Sequence, residues 1–319
     1  MSWSRQYFRL KEASAARVLS LMGHCSAFVL RCGLLGLFVL TMPAMSDSNS
    51  ALAEPLYRRI ARTLSASEVV SERSPQETIL AALADRDVVY LGETHDSAAD
   101  HQAQLEIVQD LGEQGDIAIA LEMFQRPFQP VLDAYLTGEL SEDELIAQSE
   151  YETRWGFDWE FYAPILRYAK ANQIPLIALN TPAEITRQVA REGLASLNGE
   201  DFRFIPPVAE IDLSNASYRA LIQAVFDAHG GHGNSDGFEN FFAAQVLWDE
   251  TMAEGVVRQL EAEPDRQVIV LVGEAHVGYG YGIPDRVRRR LPAVKQASVA
   301  FVGANETVEP EFTDLFWRL

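Results

Sequence analysis

Cysteine is nearly missing from this chain: 319 residues hold two, Cys25 and Cys32. Both lie in a basic, apolar N-terminal leader, so a processed chain keeps none. No disulfide and no thiolate metal site is then available, and any metal must use His, carboxylate or Tyr. His24 and Arg31 stand directly before the two cysteines, where a lipobox would need small or apolar residues. Positive charge is also scarce, with 26 Lys and Arg against 46 Asp and Glu. A net charge of −20 gives no basic footprint for a nucleic-acid partner. The chain has no long apolar run either. Its best, Gly33 to Met42, is too short to span a bilayer and fits the core of a secretory signal. No strand-like run leads into a Gly-x-Ser-x-Gly nucleophile elbow, which argues against a serine hydrolase.

Arg5, Arg9, Lys11 and Arg17 precede that apolar stretch, and Ala51-Leu52-Ala53 offers a small-x-small cleavage site. Residues 1–53 are therefore read as a secretory leader and 54–319 as a single domain. A start at Met22 would leave a leader of conventional length. The remainder keeps 21 Lys/Arg and 44 Asp/Glu, so the acidic balance survives processing.

Two stretches organise what is left. Val88-Val89-Tyr90-Leu91-Gly92-Glu93-Thr94-His95 is echoed by Val268-Ile269-Val270-Leu271-Val272-Gly273-Glu274-Ala275-His276. Each is a β-branched apolar run that stops at glycine, as a strand buried on both faces of a parallel sheet does. Each is followed by Gly-Glu-x-His. In open α/β sheets, ligands bind outside the carboxyl ends of the strands. The pair thus predicts one crevice holding four titratable groups. A capping role explains one copy as well as function does; two copies at strand ends favour function.

Further strands are predicted at Asp116 to Leu121, ending at Glu122, at Ile174 to Leu179, ending at Asn180, and at Ala297 to Val302. Between them run helical patterns. Ser74-Pro75-Gln76-Glu77 and Ser141-Glu142-Asp143-Glu144 are capping boxes. A helix from Ala98 to Glu113 carries His101, expected on its surface or behind the site. The longest pattern runs from Phe238 to Ala262, with Trp248 and Met252 as core and Gln245 and Asp249 free to face the crevice. Arg154 to Tyr162 is dense in aromatics and reads as core or cleft wall. Residues 193–213 are irregular, and His229 to Gly237 is a glycine loop whose histidines read as solvated. Alternating strands and helices predict a three-layer α/β fold, its central sheet mostly parallel, with helices on both faces.

The polar strand ends Glu93, His95, Glu122 and His276 are candidate ligands for a divalent metal, or without metal a general acid–base set. The stretches Leu91 to Asp96, Glu122-Met123-Phe124, Ala178-Leu179-Asn180, Ala244 to Ala253 and Gly278 to Arg286 together resemble the ChaN-like haem-binding proteins. These belong to a wider superfamily with erythromycin esterases and Tiki metalloproteases. The resemblance implies an exported haem-binding protein of bacterial haem uptake or storage, with haem at the carboxyl edge of the sheet. It also implies a homodimer and outer-membrane uptake machinery as partners. Family members are often lipoproteins, which this leader does not match. Gly278-Tyr279-Gly280-Tyr281-Gly282 is then the informative stretch. Tyrosine is a recognised axial haem ligand, and flanking glycines leave room for a flat macrocycle. Tyr279 and Tyr281, with His95 and His276, are the candidate haem contacts, although packed rim residues would read the same way. No Cys-x-x-Cys-His is present for covalent attachment. The alternative is a hydrolase in which His95 acts as general base, Glu93 or Glu122 orients it, and His276 binds metal or stabilises an oxyanion.

The leader makes the first expectation testable. N-terminal sequencing of protein from fractionated cells should give a chain beginning after Ala53, outside the cytoplasm. An intact leader in the cytosolic fraction would contradict it.

Overall fold

The computed structural model describes residues 75–228, 235–304, 306 and 309–319. The leader, the Ser74 cap and residues 229–234 of the glycine loop lie outside the described residues. The strands are β1 (Val88–Glu93), β2 (Ile117–Gln125), β3 (Leu176–Asn180), β4 (Gln267–Gly273), β5 (Gln296–Val302) and β6 (Leu315–Arg318). They form one sheet in the order β3-β2-β4-β1-β5-β6, and every neighbouring pair is parallel. The helices are α1 (Pro75–Leu83), α2 (Ala98–Gln114), α3 (Gln129–Thr137), α4 (Glu142–Gln148), α5 (Tyr151–Arg154), α6 (Trp159–Asn172), α7 (Ala183–Glu192), α8 (Ala216–Ala228), α9 (Ser235–Ala262) and α10 (Ile283–Arg290).

The three layers follow from the period of two along each strand. Val89, Leu91, Ile119, Leu121, Ile269, Leu271 and Val299 face one way, into a core shared with α1, α2 and α6. Val88, Tyr90, Ala120, Val268, Val270 and Val272 face the other, against the second half of α9 and α10. Both faces are covered, which is why the strands read as unbroken apolar runs. The first half of α9 runs beyond the sheet and packs with α7 and α8 in a separate cluster. That cluster walls the space outside the strand ends.

Four details differ from the expectation. β2 does not stop at Leu121 but continues to Gln125, because its pairing with β3 shifts register between Leu121 and Gln125. Pro175 lies before β3, not in it, and its carbonyl accepts the Ile119 N–H at 2.9 Å. α9 opens at Ser235, three residues early. β6 was not foreseen; among the described residues it pairs with β5 alone, at the edge of the sheet. The irregular 193–213 segment holds only short turns, at Leu194–Ser196, Asp201–Arg203 and Val208–Glu210.

One buried carboxylate ties α9 to α10. Glu250 is fully buried and receives Arg289 at 2.7 Å, Arg290 at 2.6 Å and the Asp212 N–H at 3.0 Å. Removing one partner of a buried ion pair leaves uncompensated charge, at a cost of about 3–5 kcal/mol. Glu250→Ala should therefore lower stability by that order in urea unfolding. A midpoint equal to the parent's would contradict the clamp.

Candidate functional site

The two Gly-Glu-x-His stretches end adjacent strands. β1 pairs directly with β4, and the chain leaves β1 towards β2 but leaves β4 towards β5, on the opposite side. A crevice opens where such connections diverge. The two copies are one residue out of register, since Glu93 pairs with Gly273, not with Glu274. Glu93 is consequently the last residue of a buried strand, while Glu274 begins the turn Glu274–His276 and is only half-buried. The same residue type thus meets two environments.

Glu93 is held by three donors. Its Oε1 accepts His95 Nδ1–H at 2.8 Å and the Tyr162 hydroxyl at 2.6 Å, and its Oε2 accepts Gln104 Nε2–H at 2.8 Å. Burial alone would raise its pKa, but the hydrogen bond from His95, the charges of His101 and His95 and the Tyr162 hydroxyl outweigh it, and the net shift is downward. An ionised Glu93 has no proton to give, so His95 donates from Nδ1, and a neutral ring presents the lone pair of Nε2. Trp155 and Phe157 flank the His95 ring at 4.8 and 4.9 Å, so the aromatic segment is a cleft wall. His95 keeps 11% of its side chain exposed, which makes it the accessible histidine of the two.

The second set is deeper. His276 Nδ1 meets Asp249 Oδ1 at 2.6 Å, its Nε2 faces Glu122 Oε1 at 3.3 Å, and all three residues are fully buried. Tyr218 donates its hydroxyl to the other oxygen of Asp249 at 2.5 Å. Burial, then the charge of Asp249, pushes the Tyr218 phenol well up, so it stays a donor. A ring between two carboxylates needs a proton on each nitrogen, or one on Glu122, to avoid setting a lone pair against an oxygen.

Gly273 joins the two sets. Its N–H donates to Glu122 Oε2 at 2.7 Å. A Cβ there would lie 2.9 Å from His95 Nε2 and 3.5 Å from Glu122 Oε2, so only glycine lets the ring and the carboxylate converge on one point. The four residues named from the sequence are therefore brought together, as two pairs: Glu93 with His95, and Glu122 with His276. Glu122 does not orient His95. Among the described residues no group of three or more His, Cys, Asp or Glu is gathered to hold a metal ion. The reason is local: Glu93 is saturated by donors, and both nitrogens of His276 face carboxylates.

Asn180 serves the scaffold, donating to the Glu122 carbonyl at 2.6 Å across the register shift. His101 takes the second of its two expected places, buried behind the site; it bonds Gln104 at 3.1 Å and the His95 carbonyl at 3.1 Å and stacks on Phe161. Trp248 and Met252 are core as expected. Tyr162, Gln104 and Tyr218 were not named from the sequence as site residues, whereas Asp249 was named as free to face the crevice, and it meets His276 there. Only Asp249 carried a signal, a carboxylate on the broad apolar face of α9. Tyr279 and Tyr281 stack at 5.6 Å on the turn that follows His276, both part-exposed. Tyr279 has φ of +55°, left-handed backbone that costs a non-glycine residue on the order of 1 kcal/mol or more. Gly233 to Gly237 does spell Gly-x-Ser-x-Gly; Gly233 and Asn234 lie outside the described residues, and Ser235 opens α9.

A family model described as haem-binding uptake, Tiki superfamily, ChaN matches residues 79–287. Among curated proteins, the chain is 27% identical over 236 residues to Protein RETICULATA-RELATED 5, chloroplastic, of Arabidopsis thaliana, covering 66% of this chain and 30% of that protein. The chain thus spans under a third of the length of this relative. Among solved structures, ChaN of Campylobacter jejuni, described as showing cofacial heme binding, aligns with a TM-score of 0.59 at 18% identity, over 75% of this chain and 90% of that one. An erythromycin esterase EreC mutant in its open conformation aligns at a TM-score of 0.44 and 17% identity, over 72% and 74%.

The offset of the two glutamates has a measurable consequence. Burial, then the charges of Asp100 and Glu306, lifts Glu274 from its ordinary 4.5 to about 7, with His95 pulling slightly back. Between those values the folded chain binds more protons than the unfolded one, so this group lowers stability as pH rises from 4.5 through 7. Glu274→Gln removes that loss. The variant should melt above the parent at about pH 8 and with it at about pH 4. Equal melting temperatures at both would contradict the assignment.

Proposed function

The chain belongs to the ChaN family of haem-binding uptake proteins in the Tiki superfamily, and from that premise we propose that it binds haem at the carboxyl edge of its sheet, with a phenol of the Gly278–Gly282 turn on the iron. The observation that carries this is the pair of part-exposed phenols, stacked at 5.6 Å between glycines on the turn that follows His276. Phenolate oxygen is a hard donor suited to ferric iron and is an established haem ligand. The histidines are poorer candidates. His276 is buried with both nitrogens towards carboxylates, and the Nε2 of His95, the nitrogen that its bond to Glu93 leaves open, lies against Gly273. In this reading the buried pairs build the floor of the crevice, and the tyrosines meet the iron. Uptake or storage outside the cytoplasm, a homodimer and contact with outer-membrane haem-uptake machinery belong to the same proposal; the leader sequence and the family support it.

A second reading rests on the Glu93–His95 pair. A carboxylate that fixes one imidazole nitrogen leaves the other to take a proton from water, as a hydrolase requires. Glu93 would orient His95, and the buried His276 set would act as support.

Soret titration of the purified full-length chain with hemin separates the two. The parent should saturate, and of Tyr279→Phe and Tyr281→Phe one should lose at least roughly tenfold in affinity while the other changes little. Phe keeps the ring and removes only the donor atom. If both single variants and the double variant bind like the parent, the tyrosine ligand is wrong. If the parent gives no saturable change, the haem reading fails and the hydrolase takes its place.

A further inference from the structure

We propose that Glu309 is a positioning residue for haem ligation by Tyr279, so that the C-terminal strap before β6 forms part of the site. This rests on the haem reading above. Glu309 and Phe312 lie beyond residue 287, where the family match ends, so family membership says nothing of them.

Four contacts between strap and turn carry the inference. The Tyr279 hydroxyl donates to Glu309 Oε2 at 2.6 Å, and the Tyr279 N–H donates to the Phe312 carbonyl at 2.6 Å. The Phe312 ring meets Tyr279 edge-on at 5.3 Å. It also lies so close to Gly278 that a Cβ there would come within 2.6 Å of it. Together these hold Tyr279 in its left-handed backbone, at φ of +55°. The strap itself is anchored. The Phe312 N–H closes a turn on the Glu309 carbonyl at 3.0 Å, and Asp314 accepts the Ser298 N–H of β5 at 2.9 Å. Tyr281 is held differently, by its carbonyl, which Arg286 engages at 2.6 Å. Among the described residues its hydroxyl has no such partner. Among the described residues, Tyr279 alone of the two phenols has its O–H direction set.

The chemistry matches that geometry. Ligation forms a bond from the Tyr279 oxygen to ferric iron and breaks the O–H bond. The proton would pass along the existing hydrogen bond to Glu309, which would keep it and hydrogen-bond through it to the coordinated oxygen. No electron moves, and the iron stays ferric. Without this partner the proton must leave to solvent, and nothing fixes the oxygen's lone pairs towards the iron. Glu309 and the phenol are accessible, as a rim that admits a macrocycle requires.

The test uses the full chain titrated with hemin, read by Soret affinity and by the phenolate-to-iron charge-transfer band. Glu309→Leu should weaken binding about tenfold, the worth of a hydrogen bond to a charged group, and shift the band. Glu309→Gln keeps an oxygen in place and offers an N–H to the coordinated oxygen, so it should recover most of the affinity. A Glu309→Leu chain with the parent's affinity and band overturns the proposal. So does a Tyr279→Phe chain that keeps the band, which would give the iron to Tyr281 and leave the haem reading intact. A parent chain without a saturable Soret change sinks that reading itself, and this one with it.

Discussion

His95 rests on the Cα of Gly273, with its Nε2 at 2.9 Å from where a Cβ would stand. That close approach sets the rest of the carboxyl edge. It requires β1 and β4 to be neighbours, with Glu93 opposite Gly273, so the two Gly-Glu copies are staggered by one residue. The stagger sends Glu93 inward to three donors and leaves Glu274 in the turn. It also frees the Gly273 N–H for Glu122, which in turn faces His276. A larger residue at 273 would part the two pairs.

The energetics divide the same residues by role. His276, Asp249, Glu122 and Tyr218 are out of water and in contact with one another, an arrangement that fixes geometry at high cost if any member is lost. His95 and the tyrosines of the 278–282 turn keep some contact with solvent, where a ligand arrives. The long helix α9 makes this possible: its second half covers the sheet, and its first half walls the crevice with α7 and α8. Asp249 stands where the two halves meet.

Much of this was legible in the sequence. Five of the six described strands announce themselves because burial on both faces leaves few polar residues in the run. Glu93, His95, Glu122 and His276 stand out as polar groups at the ends of such runs. What stayed hidden depends on partners distant in the chain. The stagger cannot be seen without the strand order, and neither can the assignment of Glu122 to His276 instead of His95. The continuation of β2 is a matter of register, which composition does not record. β6 is four residues with an arginine at its end and one neighbour, too short to show a period. Of the two places expected for His101, the surface of α2 or behind the site, only the structure selects the second, and Gln104, which went unnamed, turns inward with it to donate to Glu93.

The central claim is that a phenol of the Gly278–Gly282 turn, not a histidine, holds the iron. Low-temperature electron paramagnetic resonance of the hemin-loaded chain tests it most directly. A tyrosinate ligand should give a high-spin ferric signal. A low-spin signal from two nitrogen ligands would contradict the account and return the iron to the histidines.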